Sequence, residues 1–203
     1  MQEYGFWNTA KRDPERTALI ETASDRRISA GELLAESNRL THALRALGLK
    51  NGDSVSTVLP NGPEMIETYL AAFQAGLYLV PINHHLTAPE IAYIVRDSDS
   101  KVMIGHERFA GACADAAEEA GLEPEGRLAV GKIDGFNPYA GAKAAESDGE
   151  PGERTAGQVM NYTSGTTGRP KGVRRKLTGA EPDVMGSMYS LFLTMFGIEA
   201  EAG

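Results

Sequence analysis

The chain has 203 residues, enough for a sizeable core in one or two domains, and carries 28 Asp and Glu against 20 Lys and Arg, for a net charge of -8. That balance argues against nucleic acid and anionic membrane as partners, because both reward clustered Lys and Arg. Cys113 is the only cysteine, so no disulfide can form within the chain.

The first 21 residues lack the charged-then-apolar order of a secretory leader. Tyr69 to Ile82, the longest apolar run, is broken by Gln74, Gly76 and Pro81 and is too short to span a bilayer. A cytoplasmic protein without an integral membrane segment is expected.

Taken in chain order, Thr17 to Ile20 and Arg26 to Ser29 read as a short hairpin. Ser29 with Glu32 makes a capping box for a helix that puts Leu33, Leu40, Leu44 and Leu47 on one face and stops at Gly48. Ser54 to Leu59 reads as a strand. Asn61 to Gly76 reads as a helix with Met65, Ile66, Tyr69, Leu70 and Phe73 inward, followed by a strand over Leu77 to Ile82. Thr87 and Glu90 repeat the capping box ahead of Ile91, Ile94 and Val95. A strand over Lys101 to Ile104, a helix over Glu107 to Ala120 and a strand near Leu128 complete the series. Apolar strands alternating with helices imply an α/β fold, a parallel sheet with helices on both faces, over residues 1–130.

Residues 131–157 are rich in Gly, Ala, Asp and Glu and read as an exposed connection. Residues 158–203 hold a strand–loop–strand unit and a final apolar helix, the start of a second subdomain. In that helix Val184, Met185, Met188, Leu191, Phe192, Met195 and Phe196 recur at helical spacing within Pro182 to Ile198. Its polar side has too few cations for a membrane-surface helix, so the stripe is expected to pack as core or to be covered by another copy of the chain.

Cys113 lies in an Ala-rich stretch that suits a buried thiol. His84 and His85 are adjacent, with no further His or Cys at ligand spacing, and read as loop residues. Asp97 and Asp99 read as part of a solvated helix end.

The chemistry concentrates in Asn161 to Arg175, NYTSGTTGRPKGVRR. Gly165 and Gly168 free the backbone to turn its N–H groups inward, Ser164, Thr166 and Thr167 add hydroxyls, and Lys171 adds a full positive charge. Such a concave donor array suits a polyphosphate. The order differs from G-x-x-x-x-G-K-[ST], and the flanks read as strands, so helix-dipole binding is not expected.

Tyr162 to Val173, YTSGTTGRPKGV, resembles the phosphate-binding signature of the adenylate-forming superfamily: acyl-CoA synthetases, aryl-CoA ligases, luciferases and peptide-synthetase adenylation domains. Leu47 to Gly76 and Ala75 to Ile104 resemble the family's preceding elements, so the likeness covers most of the chain and is weakest over 131–157. The resemblance implies a carboxylic, fatty acid substrate, with ATP, Mg²⁺ and coenzyme A. The carboxylate attacks the α-phosphorus, pyrophosphate leaves, and the thiol displaces AMP from the acyl-adenylate. It assigns Thr163, Ser164, Gly165, Thr166, Thr167, Gly168 and Lys171 to the β- and γ-phosphates, with the Thr166 hydroxyl near Mg²⁺. It assigns no catalytic residue here, because the family's aromatic-x-Thr-Glu element, ribose-binding Asp and catalytic Lys do not follow in this sequence. The expectation is the amino-terminal portion of an acyl-CoA synthetase, inactive alone; the alternative is a non-catalytic nucleotide-binding or interaction module. After Val173, where many members continue with Ser-His, this chain has RRKLTGAEPD. The style of Val80 to Val95 favours acyl-CoA synthetases over peptide-synthetase domains.

Overall fold

The structure, a computed structural model, describes residues 5–22, 24–163 and 169–197. Helix α1 (Phe6–Arg12) precedes the antiparallel hairpin β1 (Thr17–Glu21) and β2 (Arg26–Ser29), which feeds α2 (Ala30–Ala46). At the start of α2 the Ser29 side chain accepts the Glu32 N–H at 3.1 Å, while the Glu32 carboxylate turns to Arg26 instead of closing the box. Leu40 and Leu44 of α2 are completely buried, each contributing about 1.5–3 kcal/mol. Gly48 follows the helix at φ 88°, a conformation that favours glycine.

Strand β3 (Ser54–Val58), α3 (Pro63–Gln74), β4 (Tyr78–Pro81), α4 (Ala88–Asp97), β5 (Ser100–His106), α5 (Ala110–Glu119) and β6 (Arg127–Val130) follow in alternation. Next come β7 (Asn137–Pro138), α6 (Tyr139–Ala144) and β8 (Gln158–Val159). The six strands from β3 to β8 form one sheet, in the order β7-β6-β5-β3-β4-β8, and every pair is parallel. The side-chain period of two divides the sheet cleanly. Leu79, Val102, Ile104 and Leu128 face α2, α3 and α6, whereas Val80, Met103 and Ala129 face α4 and α5.

Two expectations change. On α3, Leu70 and Phe73 are buried, but Ile66 and Tyr69 are each 38% exposed. The sheet contact is made by the small Ala71 and Ala72, next to Glu67 and Gln74, which are buried because they are hydrogen-bonded. Residues 137–144, though mostly exposed, are not an irregular connection and are anchored by the buried Tyr139 and Lys143. They add an edge strand and the helix α6, whose Lys143 ammonium lies 2.6 Å from Glu67 Oε2 and 2.8 Å from Glu36 Oε2. The Tyr139 hydroxyl donates to the same Glu67 oxygen at 2.8 Å. Opposite charges, paired and hydrogen-bonded, make burial of a nominally polar segment possible. Asp97 is exposed at the end of α4 as expected, and there it also accepts a hydrogen bond from Tyr162.

A second antiparallel hairpin, β9 (Asn161–Thr163) and β10 (Lys171–Val173), leads to α7 (Pro182–Thr194). α7 packs on α1 through Gly5 and Gly186, where an added Cβ at Gly5 would sit 2.9 Å from the Gly186 carbonyl carbon. Trp7 completes this corner: it stacks on Phe73 at 5.7 Å, donates its indole N–H to Gln74 Oε1 at 3.2 Å, and lies 5.5 Å from the Arg154 guanidinium. Met185 packs inward, whereas Met188, Phe192 and Phe196 are exposed. Ile198, the end of the expected stripe, lies outside the described residues.

Candidate functional site

The loop-bearing hairpin leaves the sheet directly: β8 pairs with β4, Met160 is buried, and β9 begins one residue later. Its register sets Thr163 opposite Lys171, Tyr162 opposite Gly172, and Asn161 opposite Val173. Directly opposed residues share a face, and successive residues alternate. Thr163, Lys171, Asn161 and Val173 therefore present one face, and Tyr162 and Gly172 the other.

The second face is pinned to the α/β core. The Tyr162 hydroxyl donates to Asp97 Oδ2 at 2.7 Å. Burial, and then the adjacent Asp97 carboxylate, push the Tyr162 phenol well above its ordinary value, so it keeps the donating proton. Gly172 packs beneath that ring: a Cβ would lie 2.3 Å from Met160 Cε and 2.9 Å from Tyr162 Cζ, so both side chains would have to shift to admit one. On the outgoing side the Tyr93 hydroxyl donates to the Pro170 carbonyl at 3.0 Å, and the Arg169 guanidinium lies 5.6 Å from the Tyr93 ring centroid. Further along, the Tyr78 hydroxyl donates to the Arg175 carbonyl at 2.7 Å, while Arg174 covers the Tyr78 ring at 4.4 Å and donates to the Gly52 carbonyl.

The first face is open. Lys171 and Thr163 are exposed there, and Tyr69, Phe73, Thr163, Val173 and Arg175 bound a cleft beside them. An exposed ammonium opposite a hydroxyl can hold anionic oxygens through charge-assisted hydrogen bonds. Ser164, Gly165, Thr166, Thr167 and Gly168, the rest of the expected phosphate set and the expected Mg²⁺ neighbour, lie outside the described residues. The structure thus brings Thr163 and Lys171 together. It also adds the tyrosine anchors and Asp97, whose contacts span more of the chain than any local motif does.

Other chemical candidates resolve structurally. Cys113 is buried, and burial pushes its thiol up to about 11, which removes the thiolate a nucleophile needs. His84 stacks on Phe109 at 4.5 Å and touches His85 at 4.3 Å. Among the described residues no group of three or more His, Cys, Asp or Glu could hold a metal ion, and no helix is long and apolar enough to cross a membrane.

The model of the AMP-binding enzyme family matches residues 6–179. The long-chain-fatty-acid–CoA ligase FadD13 of Mycobacterium tuberculosis is 35% identical over 163 residues, 79% of this chain and 32% of the relative. A feruloyl-CoA synthase of Amycolatopsis is 33% identical over 177 residues, 84% of this chain and 33% of the relative. The solved Mycobacterium tuberculosis fatty acyl CoA synthetase superposes with a TM-score of 0.69 at 29% identity, over 84% of this chain and 33% of that one. The chain spans about a third of the length of the curated relatives it matches. Because the matched span takes in both the parallel sheet and the hairpin that carries Lys171, this chain belongs to the family of AMP-binding enzymes.

Proposed function

We propose that this chain is the amino-terminal part of an AMP-forming acid–thiol ligase, an acyl-CoA synthetase, and that its hairpin holds the polyphosphate of ATP. The observation that carries the reading is the Lys171–Thr163 pair, opposed in register on an open face at the ends of 164–168. Lys171, Thr163 and the residues from Ser164 to Gly168 would hold the β- and γ-phosphates while the acid's carboxylate attacks the α-phosphorus. Charge then moves onto departing pyrophosphate, where a fixed ammonium stabilises it most. Coenzyme A would take the acyl group from the adenylate with loss of AMP. Mg²⁺ would enter as the ATP complex, with Thr166 the hydroxyl nearest it. Names of the relatives range from long-chain fatty acid to feruloyl and sulfoacetate ligases. The 35% identity to FadD13 favours a fatty acid and a role in fatty acid metabolism. The exposed Met188, Phe192 and Phe196 favour self-association through α7.

Charge-assisted hydrogen bonds contribute about 1.5–3 kcal/mol each, and ordering loop residues offsets about 1 kcal/mol apiece. A net of about 4 kcal/mol corresponds to a dissociation constant of about 1 mM. Chemical-shift titration of the chain with inorganic triphosphate and with ATP tests the proposal. Both should bind with similar affinity and Lys171→Ala should weaken both several-fold; an unchanged affinity in that variant overturns it.

A further inference from the structure

Helix α4 touches both ends of the loop-bearing hairpin. Tyr93 and Asp97 stand four residues apart, neighbours on one helix face. Asp97 accepts the hydroxyl hydrogen bond of Tyr162, two residues before 164–168, and Tyr93 donates to the carbonyl of Pro170, two residues after. The helix itself is firmly seated. Ile91, Ile94 and Val95 are buried, and Thr87 and Glu90 close a full capping box at its start. Tyr162 and Pro170 each adjoin one member of the open-face pair, Thr163 and Lys171.

We infer that Tyr93 and Asp97 of α4 are positioning residues, which set the separation and orientation of Thr163 and Lys171 for polyphosphate. The inference rests on the phosphate reading above. Because neighbouring strand residues point to opposite faces, fixing Tyr162 against α4 aims Thr163 away from it. Tyr93 holds the outgoing strand in the same way one residue ahead of Lys171. Gly172 lets the Tyr162 ring lie flat across the hairpin, so both anchors act on one rigid unit. Neither Tyr93 nor Asp97 lies on the open face. Their effect on a ligand must therefore run through the hairpin.

The test compares Tyr93→Phe, Asp97→Ala and Tyr162→Phe with wild type, using inorganic triphosphate as the probe and urea midpoints as the measure of fold. Each variant should bind triphosphate 3- to 10-fold more weakly while its urea midpoint stays close to that of wild type. Tyr162→Phe and Asp97→Ala should not be additive, because they break the same bond. Each should lose most of its effect in a Lys171→Ala background, a dependence that a merely structural role would not produce. Wild type that binds and is weakened by Lys171→Ala, with all three variants binding within 1.5-fold of it, overturns the positioning role alone. Wild type that does not bind triphosphate overturns the phosphate reading and this role with it.

Discussion

Replacing Lys143 by Met tests whether α6 is an integral part of the core. The substitution keeps most of the stem volume and removes an ammonium that sits 2.6 Å from Glu67 Oε2, 2.8 Å from Glu36 Oε2 and 4.4 Å from the Tyr139 ring centroid. Glu36 is only part-buried and keeps Arg39 at 2.8 Å, so it loses little. Glu67, 8% exposed, is left with the Tyr139 hydroxyl alone. Stranding a buried charge in this way costs about 3–5 kcal/mol. Lys143→Met should therefore destabilise by about 3–4 kcal/mol at pH 7. With an m-value of about 2 kcal/mol per molar urea, the midpoint should fall by about 1.5–2 M at pH 7. Adding Glu67→Gln removes the stranded charge while leaving an acceptor for Tyr139, and should restore most of the midpoint. A fall of less than about 0.5 M at pH 7, or no recovery on adding Glu67→Gln, would refute the buried-pair argument.

Acid should unfold the chain through its paired carboxylates. Burial raises the pKa values of Glu36, Glu150 and Asp183, but hydrogen bonds and charge from Lys143, Lys11 and Arg154 respectively more than reverse this and hold all three below their ordinary values. Depressed native values stabilise fully above the unfolded pKa, about 3.9–4.3, and that stabilisation disappears as pH falls through the native values. Urea midpoints should therefore be level near neutrality and drop below about pH 4, with a shallower drop in Arg154→Met; an unchanged acid limb in that variant would count against the pairing. Light scattering should detect dimers or larger species of wild type that Phe192→Glu with Phe196→Glu reduces, whereas a monomeric wild type excludes α7 as a self-association surface.

Most of the sheet was legible because its signals are local. Ser29 and the Thr87–Glu90 box mark helix starts in the sequence and cap them in the structure, and the runs at 54–58 and 78–81, rich in β-branched residues, are two of the four inner parallel strands. The inward face of α3 escaped because Ala71 and Ala72 carry little hydropathy, while Glu67 and Gln74 are buried only by partners elsewhere on the chain. Residues 137–144 looked solvated for the same reason, since the groups that bury Lys143 lie 76 and 107 residues away. At the site, the facing of Thr163 and Lys171 follows from a hairpin read in sequence. The bond from Tyr162 to Asp97 spans 65 residues and has no local trace.

The corner around Trp7 also has a consequence for synthesis. Trp7 leaves the ribosome well before the partners that surround it, which are supplied by Phe73 and Gln74, then Arg154, and then the backbone near Gly186. Contacts of such wide sequence separation close late, because the intervening chain must be ordered first. Since the sequence has one tryptophan, its intrinsic fluorescence should change in steps as nascent chains lengthen past these positions. The step due to Gly186 should come only when α7 has emerged and docked on α1, so a ring made about 180 residues earlier becomes the reporter of that docking.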